Sequence, residues 1–126
     1  MKCIMSIIKI NKMNKTKRAL RDAGFSSMTA TGSVFGRGKG LWDAKVLEGV
    51  KNDQPEALEH LGKEPRLRPQ RVLQVIVSDH KVSECIETII EANQSKSPGD
   101  GKIFVLPVSE AIRVRTAESG DVVLDN

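Results

Sequence analysis

The sequence predicts an α+β sandwich of the split-βαβ, ferredoxin-like kind, built as a single domain over residues 1–126. Three observations predict it. A β-branched or Ile-rich run opens each half of the chain, at residues 2–10 and 72–77. Each run is followed by apolar residues at helical spacing and then by a further strand-like run. Between these two βαβ units stands residues 36–69, punctuated by Gly36, Gly38, Gly40, Gly49 and Gly62 and by Pro55, Pro65 and Pro69. A connection of that length inside a compact domain is functional more often than structural.

In order, residues 2–10 alternate loosely, as a half-buried strand does. Asn11 and Asn14 offer side-chain oxygens as N-caps for a helix over residues 13–23, where Met13, Thr16, Leu20 and Ala23 share a face. Gly24 stands where a helix C-terminus favours positive φ. Residues 26–35 read as a second strand with Met28, Ala30 and Val34 on one face. In the long connection, residues 54–61 have the composition of a short helix. The strand at 72–77 leads to Ser78 and Asp79, candidate caps for a helix whose stripe is Val82, Cys85/Ile86, Ile89/Ile90 and Asn93. A loop over 94–101, a strand over 102–108 and a short last strand over 111–115 complete the order. The expected result is an antiparallel sheet with two helices on one face.

Composition bounds the function. With 39% hydrophobic and 29% charged residues the chain is an ordinary globular one. The net charge of +4 comes with interspersed signs, which argues against a nucleic-acid tail. Anion binding, nucleotides included, and a solvated mixed-charge surface both fit it. Cys3 and Cys85 lack metal-ligand spacing with each other or with His60 and His80, so free thiols in a reducing cytoplasm are expected and a metal site is not. No apolar run approaches the roughly 20 residues that span a bilayer.

Two stretches carry chemistry. Ser97-Pro98-Gly99-Asp100-Gly101-Lys102 pairs a tight glycine turn, able to present backbone N–H groups, with an ammonium at its mouth. That suits a polyphosphate. It is not a Walker A loop, since Ile103 follows Lys102, and a plain Gly-Asp-Gly turn before a strand accounts for the same residues. In Ile112-Arg113-Val114-Arg115, a strand would set both guanidiniums on one face about 7 Å apart, matched to neighbouring phosphates. An edge strand guarded by charge accounts for them equally.

Together, Gly99-Asp100-Gly101-Lys102-Ile103-Phe104-Val105 and Ala111-Ile112-Arg113-Val114-Arg115-Thr116-Ala117-Glu118 resemble the C-terminal signature of the PII nitrogen-regulatory family. Met28-Thr29-Ala30-Thr31 and Phe35-Gly36-Arg37-Gly38-Lys39-Gly40 look like that family's approach to its T-loop, and residues 14–24 fit its first helix. The resemblance covers nearly the whole chain outside residues 41–68. It implies a trimer holding ATP or ADP in each inter-subunit cleft, with magnesium beside ATP. Gly99, Asp100, Gly101, Lys102, Arg113 and Arg115 would surround the phosphates. Thr31 and the backbone near Ile76 would lie by the adenine, and Gly36 and Arg37 would close the cleft from the T-loop base. In these terms the T-loop spans about 36–70, the B-loop about 94–102, and the C-terminal strand and tail 111–126.

The departures from the family pattern are specific. Gly38 stands where the family has the Gln that helps chelate magnesium between ATP and 2-oxoglutarate. Arg68-Pro69-Gln70 replaces Leu-Pro-Lys, removing the lysine expected to pair with a 2-oxoglutarate carboxylate; Arg68 and Arg71 are the nearby substitutes, with a different donor geometry. The chain has no tyrosine, so uridylylation of a T-loop tyrosine is excluded. A long T-loop together with residues 106–116 resembles the nitrogenase-associated NifI-type branch, in particular its longer second member. That implies nitrogenase as target and either a homotrimer or a heteromer with a sister PII protein.

Trp42 is a candidate partner anchor in the loop, or a side chain folded back on its own domain. An enzyme is not expected, because no nucleophile has a base near it and no catalytic residue stands out. A ferredoxin-like RNA-binding module would need stacking aromatics on the central strands, where Phe104 stands alone. A Rossmann site has less support still, because Gly36, Gly38 and Gly40 have the wrong glycine spacing. The expected mechanism is a nucleotide-gated switch of the T-loop that presents a partner surface in the cytoplasm. A PII-like adenylate sensor without 2-oxoglutarate response is the other reading.

Overall fold

A computed structural model describes residues 1–36 and 67–124. Its elements run β1 (Lys2–Ile8), α1 (Met13–Asp22), β2 (Met28–Gly36), β3 (Arg68–Val77), α2 (Val82–Asn93) and β4 (Gly101–Pro107). The strands form one sheet of order β2-β3-β1-β4, and every neighbouring pair is antiparallel. Because β3 lies between them, β1 and β2 run parallel, as do β3 and β4 across β1. This is the split-βαβ, ferredoxin-like topology that the repeated strand-helix-strand order predicts.

The register assigns the two faces of the sheet. Ile4, Ser6 and Ile8 of β1 share a face with Leu73, Val75 and Val77 of β3, and these are buried against α1 and α2. From the helices come Met13, Leu20, Cys85 and Ile89, with Phe25 from the turn after α1. Fully burying such a side chain contributes roughly 1.5–3 kcal/mol. The other face carries Cys3, Met5, Ile7, Ile76, Phe104 and Leu106, on the side of the sheet away from α1 and α2.

The helix ends differ from the sequence reading. Neither Asn11 nor Asn14 caps α1, and neither the Ser78 nor the Asp79 side chain accepts a capping hydrogen bond at the start of α2. Each helix is entered instead through one 3-10 turn, Ile10–Lys12 and Asp79–Lys81. Asp79 is drawn away by the chain's own amino terminus at 3.0 Å and by Lys2 Nζ at 3.1 Å. Gly24 does close α1 with φ +91°, and Phe25 N–H reaches back to Leu20 O at 2.9 Å.

The strands differ too. β1 stops at Ile8, because Ile10 is already in the 3-10 turn. In β2 a bulge between Ala30 and Ser33 reverses the alternation, so Val34 falls opposite Gln70, on the other face from Met28 and Ala30. Arg68, Pro69 and Gln70 extend β3 beyond the end of β1, paired with β2 alone, where a proline is tolerated. The strand expected over 111–115 is reduced to one bridge, Ile112 to Ser119. There the chain turns back on itself: Arg113 N–H bonds to Glu118 O, and Ala117 N–H to Arg113 O, both at 2.8 Å. Those bonds take backbone groups that a strand would offer to the sheet. Arg37, Trp42 and the helix expected at 54–61 lie outside the described residues.

Candidate functional site

Residues 94–100 leave α2 and return to β4 as a loop closed by Asp100. Its carboxylate accepts the Ser95 N–H at 2.7 Å, the Lys96 N–H at 3.1 Å and the Ser95 hydroxyl, and pairs with Lys9 Nζ at 3.4 Å. The Ser95 hydroxyl and backbone N–H, then Lys9, hold the Asp100 carboxyl well below the usual carboxylate range. Asp100 therefore shapes the loop from within. The N–H groups of Ser95 and Lys96 point inward to it, so they are spent on the turn. Positive φ at Lys96 and Gly99 completes the reversal. Gly101 is required twice over: its φ is +116°, and a Cβ there would lie 2.1 Å from Ile7 O on β1.

Lys102 follows at the register position opposite Ile7, on the sheet face away from α1 and α2. Ile7 in turn pairs with Val72, whose N–H donates to Thr31 Oγ1 at 3.3 Å. Thr31, Val72, Ile7 and Lys102 thus form one row across all four strands, about 14 Å from end to end. Arg71 Nε donates to Thr31 O at 2.7 Å and fastens the bulge on which Thr31 sits. Gly36 lies at the same end, where a Cβ would collide with the Gln70 amide. Gln70, at the position of the family lysine, is buried.

Ile76, Arg113 and Arg115 are not gathered with this row. Ile76 lies four residues farther along β3, about 13 Å away, and its N–H donates to Ser27 O at 3.1 Å. The C-terminal segment docks there: the Ser27 hydroxyl donates to Leu124 O, and Leu124 is buried. Arg113 is held in the same segment, donating to Glu118 Oε1 at 2.8 Å and to Val122 O at 3.3 Å. The Thr116 hydroxyl and then Arg113 hold the Glu118 carboxyl below its ordinary value. Arg115 is exposed on the turn. One chain therefore sets Thr31, Gly36 and Gly99–Lys102 at one end of the sheet and Ile76, Arg113 and Arg115 toward the other.

Sequence reasoning missed Lys9 and Ser95, the fastening of Thr31 by Arg71, and the role of Glu118. For Ser95 a signal existed, since a serine shortly before Gly-Asp favours side-chain to backbone turns; the contacts of Lys9 and Arg71 span strands and leave no local trace, whereas Glu118 meets Arg113 only five residues away. An apolar groove of about 430 Å³ opens beside the loop, between Ile86 and Ile90 of α2 and Ile103 and Val105 of β4, with Asp100, Gly101 and Lys102 also lining it. Among the described residues, no group of three His, Cys, Asp or Glu side chains could hold a metal ion. No helix among them is long and apolar enough to cross a membrane.

Fold and site thus define a ferredoxin-like α+β module with a Gly-Asp-Gly-Lys loop at one end of its sheet. Residues 1–118 match the family Nitrogen regulatory protein P-II, and the chain belongs to that family. It is 44% identical over 121 residues to "Nitrogen fixation nifHD region GlnB-like protein 2" of Methanobacterium ivanovii, covering 96% of this chain and 97% of that one. The protein of the same description from Methanococcus maripaludis is 41% identical over 124 residues, 98% of this chain and 100% of its own. "Nitrogen regulatory protein P-II" of Haemophilus influenzae is 38% identical over 121 residues, 96% and 97% of the two chains. The kinship to nitrogen-fixation-region members agrees with the NifI-type resemblance read from the sequence.

Proposed function

We propose that this chain is a trimeric signal transducer of nitrogen metabolism that binds ATP or ADP in clefts between its copies and acts on a target through its T-loop, about residues 36–70. The observation that carries the reading is the division of the site residues between two ends of one sheet. A nucleotide reaching both Lys102 and the arginines then needs two copies: the loop and Lys102 from one, Arg113 and Arg115 from its neighbour. The uncovered face with Met5, Ile7, Phe104 and Leu106 supports an assembly that buries it.

In this reading Lys102, with Lys9 behind the loop, offsets phosphate charge, and magnesium accompanies ATP. Arg113 exchanges Glu118 for a phosphate, and Arg115 meets the neighbouring one. Thr31, Gly36, Arg37 and the backbone near Ile76 complete the cleft. Nucleotide then biases the connecting segment, with Trp42 as anchor, between two conformations of unequal affinity for it. The kinship to nifHD-region GlnB-like proteins supports nitrogenase as the target; the cytoplasm is the proposed compartment, with a homotrimer or a heteromer with a sister P-II protein as the unit. The protein regulates and does not catalyse.

The sensor that reads adenylate without 2-oxoglutarate has specific support. Gln70 carries no charge for a carboxylate and is buried beside Gly36, while Arg71 is engaged by Thr31. Calorimetric titration of magnesium-ATP with and without 2-oxoglutarate tests both. Binding of ATP unaffected by 2-oxoglutarate supports the adenylate sensor; mutual tightening would make it a 2-oxoglutarate sensor by linkage. Absence of ATP binding would overturn the nucleotide reading altogether.

A further inference from the structure

We propose that the helix layer is a self-complementary docking face on which a second copy of this chain seats, α1 of one against α2 of the other. The two helices divide the charge by sign. On α1 and the turn before it stand Lys12, Lys15, Lys17, Arg18 and Arg21, with Asp22 the lone acid. On α2 stand Glu84, Glu87 and Glu91, and no Lys or Arg lies within that helix. Lys15, Arg18 and Arg21 are exposed, as are all three glutamates. Among the described residues the ion pair these six side chains make is Arg21 with its neighbour Asp22, at 3.2 Å. The helices pack side by side, yet among the described residues their opposite charges are not paired with each other.

The spacing fits a second copy. Each helix runs back along the strand before it, and β1 and β3 are antiparallel, so α1 and α2 are antiparallel as well. Asn93 at the end of α2 accordingly meets Thr16 in α1. A two-fold axis along the helices lays α1 over the second copy's α2, again antiparallel. Arg21, Arg18 and Lys15 then face Glu84, Glu87 and Glu91, each series stepping by three or four residues over about 10 Å. Even the exceptions comply: Asp22 and Lys81, the cation just before α2, come to the same end. The C-terminal turn of α1 meets the N-terminal turn of α2, which sets opposite helix-dipole ends together. Two-fold symmetry repeats the whole set.

A nucleic acid or an anionic membrane laid on α1 would meet the glutamate stripe beside it, so the bipolar pattern selects another bipolar face. This surface is opposite the sheet face used in the proposed trimer, and the two associations are separable.

The test is sedimentation velocity on the full chain at about 20 mM and about 500 mM salt, which shortens the screening length from roughly 20 Å to roughly 4 Å. The low-salt species is expected to have at least twice the mass of the high-salt species, with association weakened about ten-fold or more by salt. The reading uses only the ratio, so it stands or falls independently of the trimer. Lys15→Glu/Arg18→Glu/Arg21→Glu and Glu84→Lys/Glu87→Lys/Glu91→Lys should each lose the doubling, and an equal mixture of the two should regain it. Glu87→Gln, which keeps the side chain's size, should weaken it without disturbing the fold. A mass indifferent to salt, or reversed variants that do not pair when mixed, would overturn the proposal.

Discussion

The Asn93 side-chain amide donates to the Thr16 hydroxyl at 2.9 Å and so ties the last residue of α2 to the middle of α1. Both residues are buried, and the same amide nitrogen reaches Ile89 O while the Thr16 hydroxyl donates to Lys12 O at 2.7 Å. This polar link holds the two helices in one relation above an otherwise apolar core. Thr16→Val keeps the shape and removes the acceptor, leaving a buried amide short of a partner, which costs about 1–3 kcal/mol. A urea unfolding curve should show a lower midpoint with an unchanged slope. No change in midpoint would mean that water or a rotated amide replaces the hydroxyl.

Asp100 makes a second prediction, on pH. Its folded pKa lies below its unfolded value, as do those of Asp79, held by the amino terminus and Lys2, and of Glu118. Stability from such groups is present above the unfolded carboxylate value, about 4, and is lost as pH falls through the folded values. Thermal melts should therefore hold steady from pH 7 to pH 5 and drop below about pH 4. Asp100→Asn removes the charge for Lys9 and an acceptor for the Ser95 and Lys96 N–H groups. Hydrogen exchange over residues 94–101 should then accelerate at neutral pH while the rest of the chain is unchanged. Equal protection in both proteins would show that the glycines alone define the turn.

The strand register was not read from the sequence, but the order of the elements was legible because β-branched runs and helical stripes repeat. The helix stripe ending in Asn93 was read correctly for the same reason. Much of what sequence could not supply depends on contacts with distant segments. Asp79 looks like a cap until the amino terminus arrives beside it, and no window around residue 79 contains Met1. The bulge at Ala30 and Ser33 is invisible in a polar run without strong alternation. Arg113 and Arg115 suit a strand locally, but Glu118 lies five residues on and folds the segment back. Of the site, the Gly-Asp-Gly-Lys run was legible as a turn with a cation; that its aspartate faces inward was not.

Cys85 gives a third prediction. Burial, with Glu84 adding to it, pushes its thiol up to about 12, and burial raises Cys3 as well. At pH 8 a thiol of that value is thiolate in about one molecule in ten thousand, against roughly a quarter at the ordinary value of 8.5. Cys85 should resist a thiol reagent in the native protein and react at the ordinary rate in denaturant, at least about a hundred-fold faster. The raised value also means that its stabilising contribution is present below about pH 8.5 and is lost as pH rises toward the folded value. Rapid native labelling of Cys85 would show that α2 opens locally from the sheet.

The division of site residues between two ends of the sheet makes the fourth prediction, a complementation. Lys102→Ala and Arg115→Ala each remove one cation, and each alone should weaken ATP binding about ten-fold or more, since charge-assisted bonds of this kind contribute about 1.5–3 kcal/mol. If one cleft takes Lys102 from one copy and Arg115 from its neighbour, the defects fall in different copies. Subunits of the two variants exchanged in equal amounts should then form intact clefts at roughly a quarter of positions, the product of two independent halves. Titration should recover that fraction of sites at the unmodified protein's affinity. If both residues served a cleft within one chain, every copy would carry a defect and no exchange would restore binding. Recovery of tight sites on mixing therefore distinguishes a shared cleft from a private one, using Lys102 and Arg115 alone.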